Sequence, residues 1–273
     1  MKKRIISVIV ILAMAAMFII PAMAAAPGGG KYYSFDGTLG GASVTGDRAD
    51  NTGGNITFAE GKVGQAAVFD GKSGLSLGKD IIKGDTYSVA MWVKLDDVTH
   101  HTPTFFGVAP GDPIRWVSLV PLSWANVFGV WSDSGDGHWN DLFALRALPT
   151  DEWVHIAFTT EPAGDYNKIN LFINGVEVLA SASVRETMNN LFMDGGDFFI
   201  GVNFWDTPFK GMVDELYIYN GRVLSSSQVR NVMEADGSAP RTGVDDTILF
   251  LAVSLFLLAG CATILVVRKI KTH

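Results

Sequence analysis

Between Lys31 and Tyr219 the chain is built from short runs in which apolar residues recur at every second position, and this pattern constrains the fold more than any other feature. Tyr32 to Phe35, Ala66 to Phe69, Tyr87 to Lys94, Val154 to Thr160, Lys168 to Ile173 and Leu216 to Tyr219 are rich in β-branched and aromatic residues and read as strands. Turn chemistry separates them at Asp70-Gly71, Asn174-Gly175, Gly195-Gly196 and Asn220-Gly221. Asn174-Gly175 lies between Leu171-Phe172-Ile173 and Val176-Glu177-Val178 and predicts a type I′ hairpin, which requires positive φ at both central residues. One helix is expected within Leu224 to Met233, entered through a serine cap and ended before Gly237. The expected fold class is therefore all-β, with many short antiparallel strands in two sheets.

Both ends of the chain point to export. Lys2-Lys3-Arg4, the apolar stretch from Ile5 to Ile20 and Ala22-Met23-Ala24 have the form of a signal peptide over 1–24, with cleavage expected after Ala24. At the other end, 21 residues from Thr247 to Val267 carry no charge, giving roughly 31 Å as a helix, enough to span a bilayer. The basic tail 268–273 is then expected in the cytoplasm. Removing three basic residues at each end and the two acids Asp245 and Asp246 leaves 15 Lys and Arg against 26 Asp and Glu in Ala25 to Gly243. That balance gives a nucleic-acid role no electrostatic support. The single cysteine, Cys261, lies in the apolar tail, so no disulfide staples the region between. Roughly 210 residues suffice for one unstapled core.

Ala239-Pro240-Arg241-Thr242-Gly243, followed by the apolar stretch and the basic tail, resembles a Gram-positive sortase sorting signal, with Ala239 standing where Leu is usual. The resemblance implies cleavage between Thr242 and Gly243 by a sortase thiolate and transfer to the cell wall, with Pro240 holding the peptide extended. The alternative is an ordinary membrane anchor whose linker contains these letters. The expected organisation is a signal peptide 1–24, a linker 25–30, a β domain 31–233, a linker 234–246 holding the sorting motif, a transmembrane helix 247–267 and the tail 268–273.

Seven motifs in order resemble the laminin-G-like, concanavalin A-like jelly roll. They are Tyr33-Ser34-Phe35-Asp36-Gly37, the stretch from Gly61 to Gly71, Tyr87 to Lys94, Glu152 to Thr159, Ile169 to Gly175, Phe209 to Asn220, and the helix opened by Leu224-Ser225. The resemblance implies a structural calcium ion near the join of first and last strands, held by Asp214, with Asp50 and Asp36 as further candidate ligands. Against this stands the reading that Asp36 and Asp50 cap turns while Asp214 pairs with a base. Glucanases of the same fold carry Glu-x-Asp-x-x-Glu on one strand, and that pattern does not occur here. Neither a Gly-x-Ser-x-Gly elbow nor a His-Glu-x-x-His helix is present.

The segment from His100 to Asn140 departs most from the family pattern. Trp131, Trp139 and Trp205, each beside a polar loop, are candidates for stacking on sugar rings, with Asp133, His138 and Asn140 reading hydroxyls. The same indoles could instead pack a core. Trp116 and Trp124 sit in apolar runs and are expected in the core, Trp92 and Trp153 are expected to bridge the sheets, and His155 is expected to be structural. The loop from Asp133 to Asp141 fails as an EF-hand, because Ala144 stands at its twelfth position. The chain is therefore read as a non-enzymatic, surface-displayed module that binds carbohydrate. A protein-binding adhesin or structural subunit is the alternative, and a glycan hydrolase the least favoured reading.

Overall fold

A computed structural model of the chain describes residues 28–134, 139–164, 166–185 and 195–235, leaving aside the side chains of Asp112, Pro113, Ser134, Asn140 and 180–185. The signal peptide 1–24, the sorting residues Pro240, Thr242 and Gly243, the apolar stretch 247–267 and His138 lie outside them. Among the described residues no helix is long and apolar enough to cross a membrane.

The described residues form fifteen strands in two antiparallel sheets. The first sheet has the order β13 (Val176–Arg185), β12 (Tyr166–Ile173), β11 (Trp153–Ala163), β6 (Tyr87–Asp97), β15 (Lys210–Asn220), β4 (Gln65–Asp70), β3 (Thr57–Glu60). Its eighth strand, β1 (Lys31–Tyr33), pairs with β15 beyond the point where β4 stops. Between the two partners β15 bulges, and Glu215 takes φ +50 there. The second sheet has the order β10 (Trp139–Phe143), β9 (Gly129–Ser134), β8 (Asp112–Val120), β7 (Phe105–Ala109), β14 (Asp197–Ile200), β5 (Gly74–Lys79), β2 (Ser43–Thr45).

The inner faces meet in one core. Val89, Met91, Val93 and Leu95 of β6, Val154, Ile156 and Phe158 of β11, and Leu216 and Ile218 of β15 pack towards Phe105, Val117, Leu119, Val130, Phe198 and Ile200 of the second sheet. The expected hairpin is present: Asn174 and Gly175 have φ +49 and +69 and join β12 to β13. The helix, α1 (Ser226–Met233), is capped by Ser225 and Gln228, whose side chains reach each other's backbone N–H. Val229 and Val232 lie against Ala90, Ala157, Phe172, Tyr217 and Tyr219 on the outer face of the first sheet. Ala235 and Tyr32 join that cluster, and the Arg222 guanidinium donates to the Gly28 carbonyl at 2.9 Å. Both ends of the described domain therefore sit on that face.

Trp92 and Trp153 do not bridge the sheets. They alternate with the core residues Met91, Val93 and Val154, so the strand period turns them to the outer face. Trp92 there meets His155 edge-on at 5.3 Å, under the Lys62 ammonium at 4.3 Å from the ring. His155 is fully buried, and neither ring nitrogen has a hydrogen-bond partner.

Candidate functional site

The outer face of the second sheet carries the functional candidates. Val117 and Leu119 of β8 and Val130 of β9 face the core, so Trp116, Ser118, Trp131 and Asp133 face outward. Trp139 lies opposite Asp133 and Asp141 opposite Trp131, which brings both residues of β10 onto the same surface. Two cross-strand rows result: Trp139, Asp133, Trp116, Val108, and Asp141, Trp131, Ser118, Phe106, Phe199.

The rings form a connected track. Trp131 meets Trp139 edge-on at 5.9 Å and Trp116 at 4.5 Å, and Trp116 lies 5.4 Å from Trp205. Trp205 in turn contacts Phe106 and Phe204. Trp116 is buried at the base, whereas Trp139 is 68% exposed and Trp205 51%. Trp124, expected in the core, is instead 60% exposed, because its indole N–H donates to Asp141 Oδ2 at 2.5 Å and its ring meets Phe143 edge-on.

Polar groups flank the track. The His101 ring lies 4.2 Å from that of Trp131, on a residue at φ +63 whose peptide N–H donates to the Leu122 carbonyl at 2.9 Å. Asp141 Oδ1 is buried and has no hydrogen-bond partner among the described residues. Burial raises the Asp141 pKa, opposed by the Trp124 hydrogen bond and by His101. Asp206 is raised by burial too, opposed by Asn203 and His101. Asn203 is wholly buried: its Oδ1 accepts from the N–H groups of Trp205 and Asp206, and its Nδ2 donates to Asp206 Oδ2 at 2.6 Å. It thereby fixes the turn that holds Trp205 against Trp116.

The indoles and carboxylates thus share one sheet face. Residues 69–230 match the family model of the concanavalin A-like lectin/glucanases superfamily. The chain belongs to this superfamily.

Within the superfamily's fold, domain 4 of AbnA, a GH43 extracellular arabinanase from Geobacillus stearothermophilus solved in complex with arabinotriose, is similar over 76% of this chain and 98% of that one. The identity is 38% and the TM-score 0.66. The CBM40 of Ruminococcus gnavus IT-sialidase bound to α2,3-sialyllactose is similar over 61% of this chain and 95% of that one, at 15% identity and a TM-score of 0.49. Among curated proteins no match was found.

The structure brings Trp131, Trp139, Trp205 and Asp133 onto one face; His138 and the side chain of Asn140 lie outside the described residues. His101, Asp141, Asn203 and Asp206 join the face without having been singled out as ligands. Their signal in the sequence is only nearness to Trp139 and Trp205 and membership of a polar, aromatic-rich segment.

The metal candidates divide. Asp50 is an exposed partner of Arg48 at 3.4 Å. Asp214 is buried, and its oxygens accept the N–H groups of Lys62, Val63 and Glu215 at 2.8, 3.0 and 2.9 Å. Asp36 accepts the Gln65 N–H at 2.7 Å, and Glu215 accepts the Tyr32 hydroxyl at 2.6 Å. These carboxylates lie close together and pin the turn at Gly61 to Gly64, where a Cβ on Gly61 would strike Asp214. Their donor-filled geometry suits backbone amides better than a cation. Among the described residues no group of three or more His, Cys, Asp or Glu is arranged to hold a metal.

Proposed function

We propose that this chain is a non-enzymatic carbohydrate-binding module displayed on the envelope of a Gram-positive-type bacterium. The observation that carries the reading is the track from Trp139 through Trp131 and Trp116 to Trp205, with the partly exposed Asp141 and Asp206 beside it. Indole faces stack on the apolar face of a sugar, while carboxylates at the rim of such a track accept from its hydroxyls. The arabinotriose held by the 38% identical arabinanase domain supports the same ligand class. The display rests on the signal peptide 1–24, the motif Pro240, Thr242 and Gly243, and the apolar stretch 247–267, with sortase and cell wall as partners.

The test is a glycan array probed with the full chain in detergent micelles. Selective binding that disappears in Trp139→Ala is expected; a blank array from folded protein would reject the sugar reading in favour of a protein ligand. Cell fractionation of Thr242→Ala tests the display, since wall-linked protein surviving the change would exclude the sorting motif.

A further inference from the structure

We propose that this aromatic face selects uncharged oligosaccharides and rejects glycans carrying carboxylates, through the acidic side chains that border the indole track. The inference rests on the carbohydrate-binding reading and adds the chemical class of the ligand. Asp133 stands between Trp116 and Trp139 in the cross-strand row, Asp141 lies opposite Trp131, and Asp206 follows Trp205. The His101 ring lies 4.2 Å from that of Trp131, within electrostatic reach of both Asp141 and Asp206.

Two cations at the margin are committed to carboxylates of their own. Arg48, next to the Ala49 that packs on the patch, pairs with Asp50 at 3.4 Å. Lys79 pairs with Asp197, in line with Val108, at 3.8 Å. Three carboxylates, those of Asp133, Asp141 and Asp206, therefore border the place where a sugar would lie.

Hydrogen-bond capacity points the same way. An ionised carboxylate only accepts and needs a donor, and Asp206 stands partly exposed beside Trp205. A sugar hydroxyl supplies one, whereas a uronate or sialate carboxylate adds a second acceptor and a like charge. Exposed indoles at the two ends of the track, Trp139 and Trp205, also favour a ligand of several rings over a single sugar.

The experiment is calorimetric titration of the full chain in detergent micelles with neutral oligosaccharides and their acidic counterparts of equal length, such as galactotriose against trigalacturonic acid. At low salt the acidic member of each pair should bind at least about tenfold more weakly. That ratio should shrink in about 1 M NaCl, where screening shortens the reach of charge to roughly 3 Å, and again in Asp206→Asn. Equal or tighter binding of the acidic members, or a ratio that neither salt nor Asp206→Asn moves, would overturn the charge selection while leaving the sugar reading intact. Binding of neither class would remove both.

Discussion

Trp116 lies edge-on beneath Trp131 with ring centroids 4.5 Å apart, so a buried indole sets the position of a partly buried one. The exposed rings owe their placement to this hidden neighbour, and the two kinds of residue should respond differently to truncation.

Trp139→Ala should weaken glycan binding by about tenfold with little change in melting temperature, since the ring is mostly in solvent. Trp116→Ala should weaken binding as well and destabilise the domain by about 3 to 5 kcal/mol, as expected for emptying a packed site. Titration calorimetry alongside thermal melts separates them; an unchanged melting temperature for Trp116→Ala would mean that the ring does not support the face.

Glu215 predicts a loss of stability towards neutral pH. Burial pushes its carboxyl up to about 7 from 4.5, the Tyr32 hydrogen bond opposing the shift, and burial takes Asp214 up to about 6 despite three backbone donors. Between the ordinary carboxylate range and these values the native state holds protons that the unfolded chain has released, so stability falls as pH rises from about 4.5 to 7. Denaturant melts of Glu215→Gln across that window should show a shallower slope; an identical slope would exonerate Glu215.

His155 has the opposite sign. Burial holds its imidazole down at about 3, so below the ordinary value of 6.5 the unfolded chain takes up a proton that the native state refuses. Stability is lost as pH falls through that range. His155→Phe keeps a ring against Trp92 and removes two unpaired nitrogens, and should stabilise the domain by about 1 to 3 kcal/mol at pH 5, with a smaller gain at pH 8. Equal gains at both values would show that packing, not protonation, is responsible.

Asp214→Ala frees three backbone donors in a buried turn and should lower the melting temperature whether calcium or chelator is present. A calcium-dependent rise in the wild type that vanishes in this variant would instead assign Asp214 to an ion.

The six strands legible in the sequence all belong to the eight-stranded sheet. Its strands bury one large face and keep small or polar residues on much of the other, as with Ala90 and Ser88 beside Val89, so the period of two survives. In the second sheet Phe105 faces the core while Phe106 faces the aromatic patch, and all five residues of β7 are buried. With both faces apolar the alternation disappears. The sheet that carries the site was therefore the one its sequence concealed. Trp131, Trp139 and Trp205 were recognisable beside polar loops, but the contact of Trp205 with Trp116 joins residues far apart in the chain and follows only from topology.

The chain leaves the described domain at Ala235, on α1 and the outer face of the eight-stranded sheet, while the indoles occupy the far side of the sandwich. A pull applied between that exit and a ligand on the indoles would run through the thickness of the domain. It would load the interdigitated side chains between the sheets in concert, so that separation demands breaking a close-packed interior all at once, not peeling strands one hydrogen bond at a time.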